Sequence, residues 1–142
     1  MTTKSEFVDE ILSWNGTRFH HMGRLKGVGA DCVGIVVGSM KNLGMPVNDM
    51  NYYPRRPING IFKNAIEEQT DQVPGGLNYA EPGDIVTFQF VEEPQHVAVL
   101  TATHPRLQIT HAFAPARKCV TVDLDQYWLD HLTDVRQLRG FE

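Results

Sequence analysis

The chain has 142 residues, 42% of them hydrophobic and 21% charged, with a formal net charge of −4. That is ordinary composition for a globular protein and length enough for one domain with a real core. The acidic balance, with no basic stripe and only the doublets Arg55-Arg56 and Arg117-Lys118, argues against a nucleic-acid binder. No apolar run reaches the eighteen or so residues of a membrane span, and the N-terminus Met-Thr-Thr-Lys-Ser-Glu-Phe lacks the apolar stretch of a signal peptide. The expectation is a single domain over 1–142, synthesised in the cytoplasm, with no nucleic-acid or membrane partner.

Phe7, Val8, Ile11, Leu12 and Trp14 recur at helical spacing, so the first predicted element is a helix over residues 4–14 ended by Asn15-Gly16. A glycine-containing loop over 15–31 leads to Asp31, a good N-cap, and a second helix from Cys32 to about Asn42, stopped by Gly44 and Pro46. Three prolines make 46–57 a loop or extended crossing. Helical spacing resumes over 59–72 and is broken by Pro74-Gly75-Gly76.

From residue 80 the period changes. The spacing predicts strands over 85–90, 96–102, 107–112 and 118–122, a short helix over 125–131 and a last strand over 135–141. Helices followed by an antiparallel meander make the class α+β.

Cys32 stands at the predicted start of a helix, where backbone N–H groups and the positive end of the dipole stabilise a thiolate. A buried packing role would also suit a cysteine. A thiol nucleophile needs a base, and the base needs a group to hold its ring. His96 opens a strand straight after a turn, and a hairpin would bring His111 beside it. Asp31 reads as a cap rather than an acid, because a carboxylate beside the nucleophile opposes thiolate formation. Cys119 reads as a packing residue, Trp14 and Trp128 as core or edge aromatics, and Tyr52-Tyr53 with Arg55-Arg56 as an exposed loop, with contact to substrate carboxylates as the alternative. Two distant cysteines and scattered histidines supply neither a disulfide framework nor a zinc motif.

Four ordered segments carry a resemblance: Trp14-x-Gly16-Thr17-x-Phe19 with Leu25-Lys26-Gly27-Val28-Gly29-x-Asp31-Cys32-x-Gly34, then Pro82-Gly83-Asp84-Ile85-Val86, His96-Val97-Ala98-Val99 and Ile109-Thr110-His111-Ala112. Together they resemble the NlpC-type cell-wall cysteine peptidases, most of all the branch found in phage tails and gene transfer agents. The resemblance runs from about residue 7 to the C-terminus. It implies a papain-like fold, N-terminal helices packed on an antiparallel sheet, with Cys32 as nucleophile, His96 as base and His111 as the orienting residue. It implies hydrolysis of amide bonds in peptidoglycan stem peptides, most often between D-glutamate and a diamino acid, with no metal or organic cofactor. Phage tail proteins are the implied partners, and a tail or tail-like particle acting in the cell-wall space is the implied destination. An amidase effector delivered into rival bacteria, and an inactive tail or scaffold module, are the alternatives.

One departure stands out. Arg18 and Phe19 occupy positions where the family has proline and tyrosine, so a hydroxyl is missing near the site. Phe19, His20 and Asp31 are the expected substrate contacts, with His20 either a replacement donor or a solvent-facing loop residue.

Overall fold

The structure, a computed structural model, describes residues 2–49, 53, 61–90 and 94–141. Helix α1 spans Lys4–Leu12 and begins with a capping box: the Thr3 side chain accepts from the Glu6 N–H, and the Glu6 carboxylate accepts from the Thr3 N–H. Phe7, Ile11 and the following Trp14 are fully buried. A small hairpin, β1 (Arg24–Leu25) and β2 (Gly29–Ala30), precedes helix α2 (Cys32–Asn42). Helix α3 (Ile61–Gln69) ends sooner than its spacing predicts, because Thr70–Gln72 is already a strand, β3. The strands β4 (Ile85–Gln89), β5 (Pro94–Ala102), β6 (Gln108–Phe113) and β7 (Lys118–Asp123) follow, then helix α4 (Gln126–His131) and strand β8 (Leu132–Leu138). Among the described residues no helix is long and apolar enough to cross a membrane.

The strands β4 to β7 form the expected antiparallel meander, but the last strand does not extend it. The sheet order is β3-β8-β4-β5-β6-β7. β8 returns to pair with β4, matching Val86 to Val135, and β3 pairs with its other side, matching Thr70 to Leu138.

Alternation along the strands divides the core in two. Ile85, Val97, Val99, Ala112 and Cys119 pack with Phe7, Trp14, Cys32, Ile35 and Met40 beneath helices α1 and α2. Val86, Phe88, Ala98, Leu100 and Ile109 pack on the opposite face with Trp128 of α4. Both tryptophans are therefore core residues, as is Cys119, 1% exposed.

One contact locks the two N-terminal helices together and another fixes α1 to the sheet. Gly38 faces Trp14 so closely that a Cβ there would lie 2.5 Å from the indole. The buried Asp84 accepts from the Glu81 N–H in the turn before β4 and pairs with Lys4 of α1 at 2.9 Å. After α1 the chain runs along the outer edge of β7: Gly16 N–H donates to the Cys119 carbonyl, Cys119 N–H to that of Thr17, and Phe19 N–H to that of Arg117.

Candidate active site

Helix α2 is built to begin at Cys32. Asp31 adopts an extended conformation and its carboxylate accepts from the Gly34 N–H at 2.8 Å, an N-cap as expected. That capture takes one of the first-turn donors. The N–H of Cys32 itself has no protein acceptor among the described residues and stays available at the positive end of the helix. Gly34 must be glycine: a Cβ there would sit 2.0 Å from the Gly23 carbonyl oxygen, so the loop before the hairpin closes directly on the first turn.

The Cys32 side chain is 9% exposed. Burial, then the neighbouring Asp31 charge, push its thiol up to about 12, while the backbone amides of Val97 and Val33 and the Arg24 guanidinium act the other way. The sulfur therefore lies against the backbone of β5 at the residue that follows His96.

The histidines meet as expected. His96 Nε2 and His111 Nδ1 are 2.6 Å apart, in a pair where each ring is buried. Ladder pairing between β5 and β6 begins at Val99 opposite Thr110, so the two strands part beside His96 and His111. Val97, paired with Thr87 of β4 on its other side, likewise has no ladder partner in β6. Trp128 and Phe113 close over the pair, with the His111 ring 4.9 Å from the indole and stacked at 5.0 Å on Phe113. Burial, and for His96 also the second imidazole, hold His96 well below the usual histidine range. Burial alone lowers His111 to about 4. Both rings are neutral near pH 7 and share one proton along the Nε2–Nδ1 line. His111 Nε2 finds no hydrogen-bond partner among the described residues, so His96 is its ring's sole polar anchor. No hydrogen bond joins the Cys32 thiol to either imidazole among the described residues. Such contacts are commonly long without substrate.

The three expected substrate contacts fare differently. Phe19 is half-buried and packs on the core beneath the helices. His20 is exposed, and its Nδ1 lies 3.0 Å from the His21 carbonyl oxygen. Asp31 is 4% exposed and has no lone pair to spare. One oxygen accepts from Gly34 N–H and Arg24, the other from Met22 N–H and the Tyr53 hydroxyl. The structure makes Asp31 an internal anchor, which corrects the expectation that it contacts substrate.

Tyr53 is a second correction. Read as part of an exposed loop, it is 4% exposed and delivers its hydroxyl to Asp31, one residue from the nucleophile position. Arg24 donates to the same hydroxyl at 2.9 Å. Sequence reasoning missed both residues, because a lone arginine in a hairpin and a tyrosine among prolines carry no periodic signal. Tyr52, Arg55 and Arg56 lie outside the described residues.

Comparison with solved structures was made against this geometry. The chain superposes on the NlpC/P60 domain of the peptidoglycan hydrolase SagA with a TM-score of 0.67 at 17% identity, covering 96% of this chain and 98% of that one. The fold is the NlpC/P60 fold. A lipoprotein-like NLP/P60 protein from Staphylococcus aureus matches with a TM-score of 0.71 at 19% identity over 96% of this chain and 41% of its own. The peptidoglycan hydrolase RipB of Mycobacterium tuberculosis matches with a TM-score of 0.64 at 19% identity over 98% and 65%. The chain thus spans less than half the length of the Staphylococcus aureus protein. No family model matches it, and no curated protein does either. The NlpC/P60 fold agrees with the expected α+β, papain-like architecture, N-terminal helices packed on an antiparallel sheet.

Proposed function

We propose that this chain is a cysteine-dependent peptidoglycan hydrolase that cuts amide bonds of stem peptides. The observation that carries the proposal is a thiol at a helix N-terminus, lying against the β5 backbone at Val97, the residue after His96, whose ring is already held by His111. With His96 Nε2 engaged by His111, its Nδ1 remains to act on the thiol.

The steps follow from those groups. His96 Nδ1 takes the Cys32 proton, and the thiolate adds to the substrate carbonyl carbon. The Cys32 N–H, free of any acceptor among the described residues, donates to the oxyanion. Collapse of the intermediate breaks the C–N bond as His96 returns its proton to the leaving amine. Water then attacks the thioester with His96 again as base, releasing the acid and restoring the thiol. His111 keeps the ring oriented and shares the positive charge that develops on it.

The NlpC/P60 fold is shared with SagA and RipB, whose names describe peptidoglycan hydrolases. The bond proposed is the one between D-glutamate and the diamino acid, and the setting proposed is a phage tail or gene transfer agent that opens the wall during DNA entry. The motif Leu25-Lys26-Gly27-Val28-Gly29 before Asp31-Cys32 supports that setting.

The test is mass spectrometry of muropeptides after digestion of purified walls. New termini at the D-glutamyl bond are expected, and Cys32→Ala abolishes them while retaining the thermal transition of the parent. Fragments undiminished in Cys32→Ala, or none from walls of several chemotypes, refute the proposal.

A further inference from the structure

The most heavily bonded side chain near the thiol belongs to a residue outside the Cys-His-His set. Arg24, in the hairpin ahead of α2, donates from Nη1 to Asp31 Oδ1 at 3.1 Å. Its Nε and Nη2 fork onto the carboxylate of Asp49 at 3.1–3.2 Å. Nη2 also reaches the Tyr53 hydroxyl at 2.9 Å. The guanidinium therefore ties the hairpin, the helix cap and the crossing segment together at one point. It is a planar fork used for two carboxylates at once, a geometry a lysine does not reproduce.

The reason for it lies in Asp31. The helix needs an acceptor at its cap, and a carboxylate fills that place with four donors. The same carboxylate is a buried negative charge one residue from a sulfur that must become negative, which opposes ionisation in a low-dielectric site. A fixed guanidinium 3.1 Å away cancels that charge without releasing the cap. We propose that Arg24 is a positioning residue for Cys32: it neutralises Asp31 so that the sulfur can carry charge while its proton moves to His96. The proposal rests on the reading of Cys32 as nucleophile for its purpose, though not for its measurement.

Other charged and titratable groups surround this unit. His21 Nδ1 lies 4.0 Å from Asp31 Oδ2. Lys41 reaches Asp49 at 3.4 Å from the far side, and His96, backed by His111, stands on β5, the strand the sulfur lies against. Among the described residues Arg24 is the one full positive charge bonded directly to Asp31.

Alkylation of Cys32 by iodoacetamide between pH 6 and 10, followed on the Cys32 peptide by mass spectrometry, separates this unit from Cys119. Arg24→Gln is expected to slow alkylation about tenfold at a given pH, equivalent to one unit upward in the apparent thiol pKa. Arg24→Lys keeps the charge and stays within about threefold of the parent. Arg24→Gln with Asp31→Asn removes both charges and returns the rate to the parent's range. A merely structural arginine predicts the opposite, with the double variant as slow as Arg24→Gln or slower. Unchanged alkylation in Arg24→Gln, or no recovery in the double variant, overturns the proposal. Where Arg24→Gln fails to fold, Asp31→Asn alone decides: Asn still caps the helix, the negative charge beside the sulfur is gone while Arg24 stays paired with Asp49, and alkylation accelerates about tenfold. An unchanged or slower rate in that variant overturns the proposal equally. These readouts need no substrate, so loss of wall cleavage with an intact alkylation pattern refutes the hydrolase proposal and leaves Arg24's role standing.

Discussion

Two imidazoles buried as a neutral pair make the fold sensitive to mild acid. His111 is lowered to about 4 and His96 is held well below its usual 6.5, in both cases chiefly by burial. In the unfolded chain each returns to about 6.5 and takes up a proton as pH falls. The unfolded state then binds more protons than the native one, so stability falls with pH, beginning near 6.5 and continuing to about 4. Between pH 7 and pH 5 the unfolded chain gains most of one proton per histidine while the folded chain gains almost none. That costs about 2 kcal/mol at His111 alone, and the lowered His96 adds to it in the same direction. A domain with a typical 5–15 kcal/mol loses a large share of its stability over two pH units. Lowered aspartates and glutamates such as Asp49 and Glu10 act in the same direction only at lower pH, so the window isolates the histidines. Urea unfolding at pH 7, 6 and 5, followed by tryptophan fluorescence, measures the effect. Stability that is flat or rises from pH 7 to pH 5 would refute the claim that the pair is buried and neutral.

Two further substitutions probe the frame around the site. Gly34→Ala places a methyl 2.0 Å from the Gly23 carbonyl, so the helix start must move; a loss of about 3 kcal/mol in urea unfolding is expected, and less than about 1 kcal/mol would show that the contact is loose. Trp128→Ala opens the cover over both histidines, so the acid destabilisation should shrink even as overall stability drops by about 3–5 kcal/mol. An undiminished pH dependence in that variant would mean that the indole does not keep the rings dry.

Much of this architecture was legible in local pattern. The start of α2 followed from Asp31 as a cap, and the strands β4 to β7 followed from the change of period after residue 80. The meeting of His96 with His111 followed from a hairpin expected between them. What escaped was set by distant partners. β3 is three residues long with polar Asp71 and Gln72, too short to show alternation, and exists because β8 offers it an edge. β8 sits beside β4 rather than at the end of the meander because Val135 and Leu138 find the two cores there. Tyr53 lies inside because Asp31 and Arg24 give its hydroxyl two charged partners, and no feature of residues 46–57 announces that.

The strip of chain after α1 that lies on β7 has a consequence for how a substrate arrives. Many proteins capture an extended peptide by letting it add as one more strand to an open sheet edge. At the start of β7 that route is closed, since the chain's own residues 16–19 already occupy Cys119 N–H and the carbonyls of Cys119 and Arg117. The same residues lead through the hairpin to Asp31 and Cys32. A segment that shields the sheet from stray strands is thus continuous with the one that carries the thiol, and an extended peptide would have to be gripped by side chains and helix donors rather than by strand pairing at that edge.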